Sequence, residues 1–188
     1  HLNDVTINMK NNSLFFHNKK AEPWSITLID TGQNTMTGGR LKRVKEFISE
    51  ETFCFTYGDG LCDINIKSLI DFHKEKGKEA TVTAVRPKGR FGALNIQNDT
   101  MFVDKFKEKP EGDGAWVNGG YFVLEKSIFD RIDGDETIWE HEPLNKLTAD
   151  NQLVAYKHRG FWQPMDTLRD KLVLEDLLQK DKAPWKNW

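Results

Sequence analysis

The sequence TFCFTYGDG, residues 52–60, is an aromatic and β-branched run that ends abruptly in Gly58-Asp59-Gly60. Such a run is typical of a buried strand. In an α/β protein it places the Asp59 carboxylate at the carboxyl end of that strand, on a loop whose glycines let other groups approach closely. A carboxylate in that position is suited to hold a divalent cation beside a phosphate. The alternative is that Asp-Gly closes a β-hairpin, and this stretch alone leaves both interpretations open.

Strands and helices alternate around this stretch. Residues 24–30 are β-branched and partly alternating, which predicts a strand, and the apolar stripe of residues 41–48 predicts a helix. A second apolar stripe predicts a helix over residues 66–77, and residues 79–85 predict the next strand. A helix soon after Asp59 favours the cation site over a simple return strand. The alternation indicates an α/β protein with a mainly parallel, doubly wound sheet.

The remaining elements are denser in strands. Asp63 and Asn65 are the candidate N-caps of the 66–77 helix. Residues 1–23 are predicted to be irregular or a β-ribbon. Further strands are predicted at residues 91–96, 101–106, 115–124 and 153–158, and further helices at residues 127–132, 139–148 and 167–178.

Composition narrows the class of protein. The chain has 188 residues, with 27 Lys plus Arg against 29 Asp plus Glu, which predicts one domain and gives no reason to expect a nucleic acid or a membrane as partner. No apolar run approaches the length of a bilayer span. Cys54 and Cys62 lack a metal-binding spacing, so we expect buried free thiols in a cytoplasmic protein.

A glycine-rich stretch, TGGRL at residues 37–41, leads from a strand region into the predicted 41–48 helix. Exposed backbone N–H groups at a helix start can bind an anion, and Arg40 adds a charge that suits phosphate. An ordinary strand-to-helix loop is the alternative, since short glycine motifs are weak signals.

A second carboxylate follows an aromatic segment, FWQPMDT at residues 161–167. Asp166 is a natural helix N-cap, and capping of the predicted helix is enough to explain Asp166 or Thr167 at this position. The alternative places Asp166 opposite Asp59 across one Mg²⁺, a cation that takes one or two carboxylates plus substrate phosphates.

Weaker candidates lie between these two carboxylates. Glu108 and Lys109 suit a polyol and an anion, although a solvated charge run explains them equally. Asn118 precedes two glycines inside a predicted strand, where its amide is either a ligand contact or the partner of a bulge. None of the five histidines has metal-ligand spacing to another.

Taken in order, these residues resemble the sugar-phosphate nucleotidyltransferases, also called nucleoside-diphosphate-sugar pyrophosphorylases, and within them the cytidylyltransferases that act on glucose 1-phosphate. The likeness covers about residues 23–188, and it rests on an ordered set of motifs. The set comprises DTG at 30–32, MTGGRLKRV at 36–44, FTYGDG at 55–60, GRFGAL at 89–94, EKP at 108–110, NGG at 118–120 and FWQPMDTLRD at 161–170.

The resemblance implies a Rossmann-like fold with a mixed, mainly parallel sheet flanked by helices. It also implies a Mg²⁺-dependent reaction in which CTP and α-D-glucose 1-phosphate give CDP-glucose and pyrophosphate, for the synthesis of surface polysaccharide. A cytoplasmic homo-oligomer is the expected state. By the family pattern, Asp59 and Asp166 would hold Mg²⁺ and share catalysis with Arg40; Thr35, Arg40 and Gly58 would line the nucleotide side, and Gly92, Glu108, Lys109 and Asn118 the sugar-phosphate side.

One family motif is missing. Nothing in residues 1–23 matches the family's triphosphate-binding loop of the Gly-Gly-x-Gly-Thr-Arg-Leu type or the lysine that follows it. We therefore expect an N-terminally truncated version of the fold without its first strand–loop–helix units. Two alternatives follow: a catalytically incomplete fragment that retains only sugar-nucleotide binding or assembly, and a sibling enzyme that uses UTP or dTTP.

Overall fold

The computed structural model describes residues 4–17, 24–87, 93–97, 101–107 and 115–186. Its contacts divide the chain into two compact units, His1–Thr31 and Gly32–Trp188. The prediction of a single domain stays a prediction. No helix among the described residues is long and apolar enough to cross a bilayer.

The elements alternate much as predicted, with additional short strands. The strands are β1 (Val5–Asn8), β2 (Ser13–Phe16), β3 (Thr52–Thr56), β4 (Gly60–Cys62), β5 (Ala80–Val85), β6 (Ala93–Ile96), β7 (Val103–Lys107), β8 (Val117–Glu125), β9 (Leu153–Lys157) and β10 (Trp162–Pro164). The helices are α1 (Thr37–Arg43), α2 (Ile66–Lys76), α3 (Glu142–Ala149) and α4 (Leu168–Gln179), with 3₁₀ turns at Lys45–Phe47 and Lys126–Arg131.

A four-stranded sheet in the order β3-β8-β5-β9 forms the centre of the larger unit. Strand β8 is antiparallel to both β3 and β5, whereas β5 and β9 are parallel. Three of these four strands therefore run in one direction and β8 runs against them. The predicted α/β class with a mixed, mainly parallel sheet is confirmed.

Apolar side chains cover both faces of this sheet. Phe122 and Leu124 belong to a core that includes the fully buried Trp139. The alternate residue Val123 belongs to a second core with Leu69 of α2. Because successive residues of a strand point to opposite faces, β8 contributes to both cores and is buried on both sides.

Local signals define α2 at both ends. The Asn65 side chain accepts a hydrogen bond from the Ser68 backbone N–H at 2.9 Å, as an N-cap does. Gly77 ends the helix in the left-handed conformation with φ of 56°, which costs glycine little. Of the two predicted caps, Asn65 is the one used.

The smaller unit contains an antiparallel ribbon of β1 and β2, one of the two predicted forms of residues 1–23. The strand predicted at residues 24–30 is wrong: these residues have no regular secondary structure. Their strand-like pattern remains visible in Trp24, Ile26 and Leu28, which are 70%, 73% and 91% exposed. A β pattern forms a strand only when it has a partner to pair with, and within the described residues this segment pairs with none.

The two strands predicted near residues 91–96 and 101–106 are present as β6 and β7, which form an antiparallel pair. The predicted burial of both thiols is correct for Cys62 and wrong for Cys54, which is exposed. Cys54 lies on β3, an edge strand of the described sheet, and points away from the face on which its neighbours Phe53 and Phe55 pack.

A partly buried ion pair fastens the start of β5 to the Lys126–Arg131 turn. Arg131 donates from Nε to Glu79 Oε2 at 2.9 Å and from Nη1 to Asp150 Oδ2 at 2.7 Å. The hydrogen bonds from Arg131 hold the pKa of Glu79 below its ordinary value. The pKa of Glu79 is therefore lower in the folded protein than in the unfolded chain. The ionised carboxylate stabilises the folded protein at neutral pH, and this stabilisation is lost as the pH falls through the folded-state pKa.

We therefore expect Glu79→Gln to lower the free energy of unfolding at pH 7 by about 1–3 kcal/mol, because a charged hydrogen-bond acceptor is lost. The difference from wild type should shrink as the pH falls below the ordinary glutamate range. Urea unfolding at several pH values measures it. Glu75→Gln, which removes an exposed glutamate of α2, is the matched control, and an equal loss in both variants would contradict the assignment.

Candidate functional site: a cavity between Asp59 and Asp166

Asp59 lies in a turn between two strands that belong to different sheets. Strand β3 pairs with β8, whereas β4 pairs antiparallel with β10. The hairpin interpretation of Asp-Gly is therefore wrong, because β3 and β4 do not pair with each other.

The β4–β10 ladder brings the two predicted carboxylates to one place. Gly60 is registered with Pro164, and the Met165 backbone N–H donates to the Asp59 carbonyl oxygen at 2.7 Å. Asp59 and Asp166 both line a cavity of about 190 Å³, which we name the Asp59 cavity. The other lining residues are Thr56, Tyr57, Gly60, Asn118, Gly119, Gly120, Tyr121, Trp162 and Pro164.

Asp166 is not the N-cap of α4, which corrects one of its two predicted roles. Thr167 is the cap: its Oγ1 accepts from the Asp170 N–H at 3.2 Å, and Asp170 accepts from the Thr167 N–H at 3.0 Å. This reciprocal capping box satisfies the helix start without Asp166. The Asp166 carboxylate is exposed and available to the cavity.

We expect Thr167→Ala to destabilise the protein by about 1 kcal/mol, the usual cost of losing a cap. For a domain of this size that lowers the melting temperature by roughly 2–4 °C. Asp166→Ala, one residue earlier, should leave the melting temperature unchanged, because it removes no capping contact. Thermal unfolding of both variants provides the measurement, and a larger loss in Asp166→Ala would contradict this division of roles.

The two carboxylates fit a Mg²⁺ ion. Neither Asp59 nor Asp166 has a side-chain hydrogen bond or ion pair with another described residue. The described residues contain no cluster of three or more His, Cys, Asp or Glu side chains suited to a metal. Two carboxylates open to solvent suit a cation that retains waters and completes its shell with substrate phosphates, and they suit a four-ligand structural metal poorly.

Asn118 enters the cavity from a bulge in β8. Between the pairs Val82↔Phe122 and Ala84↔Asn118, β8 has extra residues, and Gly120 there has φ of 78°. The Asn118 Oδ1 accepts from the Gly120 N–H at 2.8 Å, and its Nδ2 donates to the Tyr57 hydroxyl at 3.2 Å. Asn118 is therefore the predicted partner of a bulge, and the bulge fixes its amide at the cavity.

Aromatic residues of the cavity were not among the predicted site residues. Burial is the main cause that raises the pKa of Tyr57, and Glu140 and Asp59 raise it further. Burial also raises the pKa of Tyr121 to about 12, and the Tyr121 hydroxyl donates to the Gly60 carbonyl oxygen at 2.8 Å. Both phenols stay protonated at neutral pH and provide fixed hydrogen-bonding groups.

Trp162 also lines the Asp59 cavity, and its Nε1–H donates to the Gly119 carbonyl oxygen at 2.8 Å. Two sequence signals could have indicated these residues. Tyr57 directly precedes Gly58-Asp59, and Trp162 precedes Asp166 by four residues.

The residues predicted to line the nucleotide side either lie outside the Asp59 cavity or, at Gly58, border open space. Neither Thr35 nor Arg40 lines the Asp59 cavity; Thr35 is buried, and Arg40 donates to the Gln33 carbonyl oxygen at 3.1 Å. A Cβ at Gly58 would meet no atom within 4 Å, so the space beside this glycine is open. The predicted contacts of all three with a nucleotide stay predictions.

The glycine-rich stretch is the first turn of α1, so the predicted loop before a helix at residue 41 is wrong. The Met36 N–H donates to the Asp135 carbonyl at 2.8 Å, and the Gly38 and Gly39 N–H groups donate to the Thr137 carbonyl at 2.9 and 3.2 Å. These amides are therefore unavailable to an anion. The predicted residues Gly92, Glu108 and Lys109 lie outside the described residues.

A family model described as nucleotidyl transferase matches residues 3–170. The glucose-1-phosphate cytidylyltransferase of Salmonella typhi is 58% identical over 189 residues, an alignment that covers 100% of this chain and 73% of that protein. The mannose-1-phosphate guanyltransferase of Hypocrea jecorina is 34% identical over 155 residues, covering 77% of this chain and 43% of that protein.

Solved structures with the same fold have low sequence identity. HddC from Yersinia pseudotuberculosis superposes with a TM-score of 0.56 at 23% identity, covering 75% of this chain and 61% of that one. A UDP-glucose pyrophosphorylase complexed with UDP-glucose gives a TM-score of 0.57 at 14% identity, covering 80% of this chain and 64% of that one. At such identities the likeness establishes the fold alone.

Proposed function

Because the chain belongs to the nucleotidyl transferase family, we propose that its Asp59 cavity transfers a cytidylyl group from CTP to α-D-glucose 1-phosphate. The products are CDP-glucose and pyrophosphate. One observation carries the proposal: Asp59, Asp166 and Asn118, predicted from motifs far apart in the sequence, line a single cavity. The 58% identity to a glucose-1-phosphate cytidylyltransferase supports the choice of base and sugar.

The reaction balances without a covalent enzyme intermediate. A phosphate oxygen of glucose 1-phosphate attacks the α-phosphorus of CTP and forms a new P–O bond. The bond between the α-phosphorus and the bridging oxygen to the β-phosphate breaks, and its electron pair leaves with pyrophosphate. Such a transfer depends on positioning and charge neutralisation, so the chain needs no nucleophile of its own.

The residues of the cavity suit positioning. Asp59 and Asp166 would hold Mg²⁺, which when bound neutralises phosphate charge during the transfer. The β4–β10 ladder holds both carboxylates at one end of a pair of hydrogen-bonded strands. Asn118, fixed by Gly120 and Tyr57, would present its amide to the sugar phosphate in the same cavity.

A direct assay tests the proposal. Incubation of the protein with CTP, glucose 1-phosphate and Mg²⁺ should release pyrophosphate and form CDP-glucose, detected by coupled phosphate release and by chromatography. EDTA should stop both. Failure to form either product with the intact natural protein would overturn the proposal.

A sibling activity is the second candidate, because a mannose-1-phosphate guanyltransferase is also a relative at 34% identity. The same assay with GTP and mannose 1-phosphate, and with UTP or dTTP and glucose 1-phosphate, separates the two. We expect the pair of CTP and glucose 1-phosphate to be preferred. Preference for another pair of nucleotide and sugar phosphate would change the assigned base and sugar, but the reaction would still be a nucleotidyl transfer. The expected cytoplasmic homo-oligomer is part of this proposal, and light scattering of the purified protein measures its assembly.

A further inference from the structure

Three cationic side chains converge on one tryptophan outside the Asp59 cavity. The Arg86 Cζ lies 4.6 Å from the Trp116 ring centroid, the Lys157 Nζ lies 5.6 Å from it, and the Arg159 Cζ lies 5.7 Å from it. Each distance is within the range of a cation–π contact. Three such contacts on one indole concentrate positive charge in a small volume.

The sheet topology produces this cluster. Strands β5 and β9 are parallel neighbours, with Ala84 registered with Lys157. Arg86 follows β5 and Arg159 follows β9, so the cations lie at the carboxyl ends of two adjacent parallel strands. Trp116 precedes β8, whose Val117 is registered with Val85. The carboxyl end of parallel strands is where open α/β sheets bind ligands.

The three cations have no ion-pair partner among the described residues. The side chains of Arg86, Lys157 and Arg159 make no hydrogen bond or ion pair with any of them, and the contacts that the structure gives these side chains are those with the Trp116 ring. Like charges at this spacing repel one another, and the π contacts compensate only in part. A bound anion would remove this repulsion.

Trp116 and two of the three cations, Arg86 and Arg159, line a cavity of about 630 Å³, which we name the Trp116 cavity. Arg86 and Arg159 line it together with apolar side chains such as Phe161, Val173 and Leu177, and no acidic residue lies among its described lining. Among the described lining residues, it shares only Trp162 with the Asp59 cavity. The volume is within the usual range for a small-molecule site.

We propose that the Trp116 cavity binds a diphosphate group, as a second anion site separate from the Asp59 cavity. Two arginine guanidinium groups provide forked donors that match phosphate oxygens, and Lys157, which contacts the same indole ring, adds positive charge nearby. The apolar wall formed by α4 accepts the organic part of a phosphate ester. This inference is independent of the proposed reaction, since none of its cations lines the Asp59 cavity.

Isothermal titration calorimetry with inorganic pyrophosphate, in EDTA to remove divalent cations, tests the site. We expect the double variant Arg86→Gln/Arg159→Gln to bind pyrophosphate at least about tenfold more weakly than wild type, because both forked donors are lost. Arg86→Lys/Arg159→Lys retains the charge and should lose less. The variants change exposed side chains, and circular dichroism verifies that they fold.

Lys67→Gln/Lys76→Gln on α2 is the matched control, since it removes the same charge from side chains that line neither cavity. Its affinity should stay within about twofold of wild type, because distant exposed charges are screened. Three results would overturn the proposal: no pyrophosphate binding by wild type, equal weakening in the control, or unchanged affinity in the arginine variant.

A parallel titration with ADP identifies the source of the diphosphate group. ADP carries the same anion with an organic part, so tighter binding than pyrophosphate, lost in the arginine variant, indicates a nucleotide. Equal affinity for both probes, again lost in that variant, indicates inorganic pyrophosphate.

Discussion

Asp59→Asn should lower the turnover of CTP and glucose 1-phosphate by at least about 10²-fold, the scale of losing one electrostatic group that acts on the transferring charge. Asparagine keeps the size of the side chain and its oxygen but removes the negative charge that a Mg²⁺ site needs. Because the Asp59 side chain is exposed and makes no hydrogen bond or ion pair with the described residues, the melting temperature should stay unchanged.

The Mg²⁺ dependence separates a metal ligand from a residue with a general effect. In Asp59→Asn and in Asp166→Asn, the remaining activity should require a higher Mg²⁺ concentration for half-saturation than wild type. Asp130→Asn changes an exposed aspartate in the Lys126–Arg131 turn and serves as the matched control, with no expected shift. Retention of most activity in either cavity variant would refute the pairing of Asp59 with Asp166.

The central sheet was predictable because its strands carry local signals. The aromatic run before Gly58, the β-branched run of β5 and the cap and stop signals of α2 each depend on neighbours within a few positions. Such patterns reflect burial and backbone preference, which a short stretch of sequence encodes. Residues 24–30 carry the same kind of pattern, yet they form no strand, since strand formation also requires a pairing partner.

The candidate site was predictable only in part. Asp59 and Asp166 were predicted as a pair from two motifs, and the β4–β10 ladder does bring them to one cavity. Tyr57 and Asn118 form a hydrogen bond across 61 positions of the chain. No local pattern encodes such a contact, because it depends on the register of β3 against β8 and on the bulge at Gly120.

The glycines of residues 37–41 mark the clearest difference between motif and structure. A glycine pair before a helix suggests room for a phosphate, but Gly38 and Gly39 are buried in the first turn of α1. Their small size allows the helix to approach the backbone of the segment that contains Asp135 and Thr137. In this case glycine serves close packing between two chain segments.

Gly39→Ala should therefore destabilise the protein strongly, whether or not a nucleotide binds. A Cβ at Gly39 would lie 2.5 Å from the Asp135 carbonyl oxygen and 2.6 Å from the Asp135 Cα, both backbone atoms that cannot rotate away. Overpacking of this kind costs about 3 kcal/mol, which lowers the melting temperature by roughly 6–12 °C. Gly134→Ala is the matched control, since a Cβ there meets no atom within 4 Å. If thermal unfolding gave Gly39→Ala the stability of Gly134→Ala and only nucleotide affinity fell, the glycine would serve the ligand, and the packing role assigned to it would be wrong.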